Sequence, residues 1–277
     1  VKIARIAPYL APLAAGALVA VAAVVHVSWW QERYVAPFDA AVESARDAAD
    51  VSAQAFAALG IARVAAAPVV SDARAVVDKG AGYLGAAAIN ELTAAIPTLQ
   101  AALDASLPDI DGHPPLGRPE LTKLGEATAV LIEWGEGELA RAETVVTLSE
   151  DVVSATDAVA HALSAVAGTA AGSATAELAA APLATADARA AVEAARNAIA
   201  AAAADGTELA DAVARYAGAV TALRSSQQQA QAAADAEAAS DRERAERMAA
   251  MRRRMFEALG IDPNTCQQLN ENTWSCP

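Results

Sequence analysis

From Ile6 to Trp30 the chain contains no Asp, Glu, Lys or Arg, and its core, LAPLAAGALVAVAAVVHVSWW, is apolar almost throughout. A run of this kind has few places to go except a bilayer. Pro8 and Pro12 suit the first helical turn or the residues before it, where a missing N–H costs least. The predicted span is therefore 12–30, and roughly 19 residues at about 1.5 Å each cover about 28 Å, one hydrocarbon thickness. Lys2 and Arg5 in the pre-helix segment 1–11 place the N-terminus in the cytoplasm, and the body outside it. Trp29, Trp30 and Tyr34 fall where an interfacial aromatic belt is expected, and His26 reads as a neighbour of that belt. Ala20-Val21-Ala22 has the small-x-small form of a signal-peptide cleavage site, so removal of the leader after Ala22 is the alternative; either way the body is exported.

That body is acidic and alanine-rich. The 277-residue chain has a formal net charge of −14, and aromatics make up only 4% of it. Alanine favours helix but removes little area from water, so the expected fold is all-α: one transmembrane helix followed by an elongated Ala-rich bundle. An acidic surface repels phosphate backbones, which excludes nucleic acid as a partner.

Two helical seams follow. Phe38, Val42, Ala45, Ala49, Ser52, Phe56 and Leu59 step by four and three, as do Val145, Leu148, Val152, Ala155, Val159, Ala162 and Val166. Gly60 and Gly168 stand where C-terminal helix ends are expected. The sequence also repeats itself in order. AAAPVVSDARAVVD (65–78) parallels AAAPLATADARAAVE (179–193), each with a proline ahead of a DAR-led helix, and ELTAAIPTLQAALDAS (91–106) parallels ELADAVARYAGAVTALRSS (208–226). This points to an internal duplication, with unit one at 37–106, unit two at 121–226 and about three helices in each. Seams of this kind also leave room for a homo-oligomer.

The Ala-rich helices ending in AVARYAGAVTAL resemble the FIVAR-type helical repeats of Gram-positive cell-surface proteins. The resemblance implies a stalk or adhesin-like module, and it brings no catalytic residues with it.

Between the units, SLPDIDGHPPLGRPE holds prolines and glycines that forbid continuous helix, making 107–120 a connector. Asp109, Asp111 and Glu120 have partial calcium-loop spacing, but His113 and Pro114 occupy positions five and six, where a ligand and a glycine are needed. The reading is a solvated linker.

From Gln227 the composition becomes polar and charged, predicting a helix over 227–260. Met248, Met251, Met255 and Leu259 make an apolar stripe, and Arg252, Arg253 and Arg254 form a basic run in an acidic protein. Two readings stand. In one, the methionines dock on a neighbouring helix and the arginines pair with Glu243 and Glu246. In the other, this is a basic amphipathic contact for an anionic envelope polymer, an acidic partner or a lipid surface. The tip, 261–277, holds the only cysteines, Cys266 and Cys276, which outside the cytoplasm would close a disulfide loop around Trp274, a candidate recognition residue.

No motif for catalysis, cofactor or metal binding is present: His26, His113 and His161 are scattered, and HExxH, CxxC, GxSxG and phosphate-loop patterns do not occur. Glu133, Trp134, Glu136 and Glu138 are the least unsatisfactory catalytic candidates. The expectation is an envelope-anchored, non-catalytic stalk presenting a basic helix and a disulfide tip to an extracytoplasmic protein or polymer. An exported ligand-sensing or accessory subunit of a membrane complex is the alternative.

Overall fold

The computed structural model describes residues 23–108, 112, 114, 117–206, 208–260, 267–270 and 273–275. Residues 1–22, with Pro8, Pro12 and the Ala20-Val21-Ala22 site, lie outside them, as do Asp109, Asp111, His113, Cys266 and Cys276. Among the described residues, 23–30 are α-helical, and five further α-helices follow: α1 (Ala36–Gly80), α2 (Ala86–Asp104), α3 (Leu124–Ala180), α4 (Ala186–Asp205) and α5 (Leu209–Ala258). A short antiparallel hairpin follows, β1 (Gln267–Asn270) with β2 (Thr273–Ser275).

Helical residues run without a break from Ala23 to Gly80, and this helix is long and apolar enough to cross a membrane. The expected stop near Trp30 is absent. Instead the chain widens into a π-helical turn, Gln31–Val35, in which the Ala36 N–H donates to the Gln31 carbonyl. Pro37 explains the change: it has no N–H for the Arg33 carbonyl, and its ring would strike that carbonyl in a regular α-turn.

The chain divides into two compact units. Unit 1 comprises α1 as far as Arg74, α2 from Glu91, and α3 as far as Ala162. At one end Phe38, Ala41, Val42 and Ala45 of α1 bury against Leu124 and Leu131 of α3, with Trp134 packed beside them. Gly135 lies at this contact, where an added Cβ would sit at ordinary van der Waals distance, 3.6 Å from the Ala45 Cα. Farther along, Leu59 and Val70 of α1, Leu92, Ile96 and Leu99 of α2, and Val145, Val152 and Val159 of α3 are buried. Buried alanines lie between these larger side chains, each of which removes more apolar area from water than an alanine methyl does. Arg63 donates to the Ala105 carbonyl at 2.6 Å and Arg74 to Gln100 at 3.2 Å, so α1 and α2 run antiparallel.

Unit 2 comprises residues 75–90 and everything from Leu163 onward. Its first turn is compact: Gly82 is left-handed at φ 78°, and the Gly85 N–H donates to Thr169 Oγ1 at 3.0 Å. A Cβ at Gly85 would fall 2.7 Å from Thr169 Cγ2, so a larger residue there requires the Thr169 side chain to shift. Helices α4 and α5 pack on each other through Val192, Ala195 and Ile199 facing Val213, Tyr216 and Val220. Gly206, left-handed at φ 67°, closes α4 and donates to the Ala202 carbonyl.

Most of both seams is inside, with Phe38, Val42, Ala45, Ser52 and Leu59 buried in α1 and Val145, Val152, Ala155, Val159, Ala162 and Val166 in α3, while Ala49, Phe56 and Leu148 are half-buried. Three boundaries differ from expectation. Gly60 and Gly168 do not end helices: α1 and α3 pass through them, because each is followed within the same helix by buried residues, Ala66 and Val70 in one and Ala170 and Ala174 in the other. That packing outweighs a glycine cost of about 1 kcal/mol. The two DAR segments also differ. Pro182 lies in a turn, and Thr185 caps α4 by accepting from the Ala188 N–H at 3.4 Å, whereas Pro68 lies inside α1. Unit one of the repeat thus holds two helices, not three. Finally, α5 has no break at Gln227.

Candidate interaction surfaces

What changes near Gln227 is packing. Up to that point α5 is held by an ordered polar set. Arg224 donates to both carboxylate oxygens of Glu177, at 2.9 Å through Nε, while its guanidinium lies 5.6 Å from the Tyr83 ring centroid. Ser226 and Gln227 then accept from the backbone of the α3–α4 turn: Thr185 N–H to Ser226 Oγ at 3.0 Å and Leu183 N–H to Gln227 Oε1 at 2.7 Å. Arg189, from the second DAR segment, completes the turn by donating to the Leu178 and Ala181 carbonyls at the end of α3. The bonds at this corner satisfy backbone groups that a helix end leaves open.

Tyr216 lies under this corner, fully buried, and its hydroxyl has no hydrogen-bond partner among the described residues. Burial pushes its pKa above the ordinary phenol value, the Glu177 carboxylate adds to the rise, and Arg224 opposes it. The hydrogen bond to Glu177 in turn raises the pKa of Arg224 and holds it in the charged form.

Beyond Ala230 every residue through Met251 is exposed. The expected stripe is out in solvent: Met248, Met251 and Met255 are 58%, 67% and 53% exposed, and Leu259 is exposed as well. They do not dock on a neighbouring helix among the described residues, and that reading is set aside. Of the expected partners, Glu243 pairs with Arg247 at 2.9 Å, while Arg244 bonds a different acid, Asp241, at 3.5 Å. Arg253 and Arg254 are exposed, and Arg252 is half-buried. Phe256, which periodicity alone did not single out, is buried at the end of this helix. Trp274 lies in β2, where its Cα pairs with that of Gln268.

In unit 1, the belt residues form one aromatic cluster. Trp30 Nε1 donates to His26 Nε2 at 3.0 Å, Trp30 and Tyr34 rings are 4.6 Å apart, and the Arg33 guanidinium lies 5.5 Å from the Trp29 ring centroid. Beside it is a groove of about 640 Å3 lined by His26, Val27, Trp30, Val35, Arg118 and Thr122. Arg118 is held there by Asp39, with Nη2 at 3.0 and 2.8 Å from the two carboxylate oxygens. The connector sequence gave no sign that Arg118 would return to the start of α1.

The weak catalytic candidates are dispersed. Glu138 is buried and paired with Arg141 at 2.7 Å, Trp134 packs on the unit 1 core, and Glu133 and Glu136 face solvent, as does His161. No group of three metal-ligating side chains occurs among the described residues. No family model, curated protein or solved structure matches this chain.

Proposed function

We propose that this chain is an envelope-anchored, non-catalytic interaction protein, with a helical bundle outside the cytoplasm and the end of α5 as its contact surface. The observation that carries the proposal is the free run of α5: about six turns with every residue from 231 to 251 exposed, followed by a methionine stripe flanked by arginines. A helix normally gains its stability by burying a face, so a long unburied one with an apolar stripe fits a binding role. The FIVAR-like units serve as the stalk in this reading. The C-terminal hairpin is its tip, closed by a Cys266–Cys276 disulfide. Support for the bond comes from the strand register, in which Gln267 pairs with Ser275 and each cysteine is the next residue outward in sequence.

The test is a photoreactive residue at Met251 in producing cells, with Ala190 as an exposed control site. Adducts at Met251 alone are expected; none at Met251 would overturn the reading. Thiol labelling with a membrane-impermeant reagent tests the topology and the disulfide together: labelling of intact cells only after reduction is expected, and labelling only after lysis would reverse the orientation.

A second reading, a ligand-sensing or accessory subunit, is favoured by one feature, the groove between the aromatic cluster and Arg118. Its test is a thermal shift of the full chain by small amphiphiles that is lost in Arg118→Gln.

A further inference from the structure

The α5 stripe has a counterpart elsewhere in the sequence. On the outer side of α3, Ile132, Leu139, Val146 and Val153 recur every seven residues and are each between 45% and 51% exposed. Four residues after each comes an acid: Glu136, Glu143, Glu150 and Asp157, all exposed and none in an ion pair with a described residue. At the far end of this stripe the surface dips into a groove of about 360 Å3, lined by Ser149, Glu150, Val153, Ser154 and Asp157.

The end of α5 carries the complementary pattern. Met248 and Met255 are seven apart, Met251 fills the intervening position, and Arg247 and Arg254 flank them at the same seven-residue interval. From Ile132 to Asp157 α3 has seven carboxylates and one arginine, whereas from Arg247 to Ala258 α5 has four arginines and one glutamate. Equal repeats matter because two side-by-side helices stay in step only when their apolar positions share a period. Met248 and Met255 then meet two successive apolar positions of α3 while Arg247 and Arg254 meet two successive acids. Unbranched methionine side chains fit the shallow groove without demanding one shape.

We infer that the end of α5 in one copy docks on the outer α3 stripe of a second copy, in a heptad-matched, charge-complementary helix pair. The inference rests on the interaction reading above and names its partner as this same chain.

The test uses the full chain in detergent, with mass followed against concentration by analytical ultracentrifugation. The wild type associates, and R247E/R254E and E143R/E150R each weaken association by about tenfold or more. The chain carrying all four reversals, which restores opposite charges across the contact, recovers it. A single-chain mass at every concentration overturns the inference, as does unchanged association in either pair or failure of the fourfold variant to recover. Circular dichroism of each variant verifies that the helices are intact. If the chain stays monomeric while Met251 still forms adducts with another protein, self-docking fails and the interaction reading survives; if Met251 forms none, both fall.

Discussion

The two halves of α5 are one helix by backbone and two different objects by physics. In the first, Leu209, Ala212, Val213, Tyr216, Val220 and Leu223 are buried at helical spacing, and Arg224, Ser226 and Gln227 bond to neighbouring elements. In the second, alanine, glutamine and arginine supply helix propensity, short-range pairs such as Arg247–Glu243 add a few tenths of a kcal/mol, and no residue from 231 to 251 is covered. Helix continuity is thus a poor guide to where a folded unit ends. Packing is the better one.

The largest test of that contrast compares two truncations of similar size. Leu223→Ala should cost about 3 kcal/mol in denaturant unfolding and Met251→Ala less than about 0.5 kcal/mol. Equal losses would mean that the second half is packed after all.

Tyr216→Phe sharpens the contrast from inside the packed half. Removing a buried hydroxyl that lacks a partner should raise stability by about 1 kcal/mol. The pH dependence follows from the raised pKa. The folded state keeps the phenol proton after the unfolded chain has released it, so stability present below about pH 10 falls as pH rises through the folded value. Tyr216→Phe should flatten that alkaline loss, and an unchanged slope would place its origin elsewhere.

A smaller effect separates two left-handed glycines. Gly206, at φ 67°, closes α4 where it enters the packed half, and Gly260, at φ 70°, follows the free half. Alanine at Gly206 should lower global stability by about 1 kcal/mol, whereas alanine at Gly260 should fray only the tail, seen as faster amide exchange there without a shift in the midpoint. Smallest of all is ending the chain at Ala230. This should leave the unfolding midpoint within about 1 °C while removing helical signal in proportion to the residues lost.

The seams were legible in the sequence because Val, Leu and Phe recur at helical spacing, and in α1 and α3 those positions are buried except for Ala49, Phe56 and Leu148, which are half-buried. The boundaries at Gly60, Gly168 and Pro68 were not, since local signals were weighed there without the tertiary packing that overrode them. The outer stripe of α3 was hidden for another reason: Val146 and Val153 stand next to the buried Val145 and Val152, and reading the adjacent pairs as one seam erased the second periodicity. Arg118 and the Tyr216 corner depend on contacts between residues far apart in sequence, for which spacing carries no signal. The methionine stripe was recognised as a stripe, but only burial showed that it is uncovered.

The π-helical turn at Gln31–Val35 has a further consequence, because a turn of this kind holds one residue more than a regular one. One inserted residue advances the angular phase of a helix by about 100°. Counting back from Phe38 in α-helical steps leads to Gln31 and Val27, and the extra residue moves that line to Trp30 and His26. Trp30 and His26 therefore share a line with the core seam that a regular helix would have given to Gln31 and Val27. Whatever orientation a surrounding medium imposes on that aromatic line is therefore passed directly to the core seam of α1, and it is the extra residue of a single turn that brings the two into register.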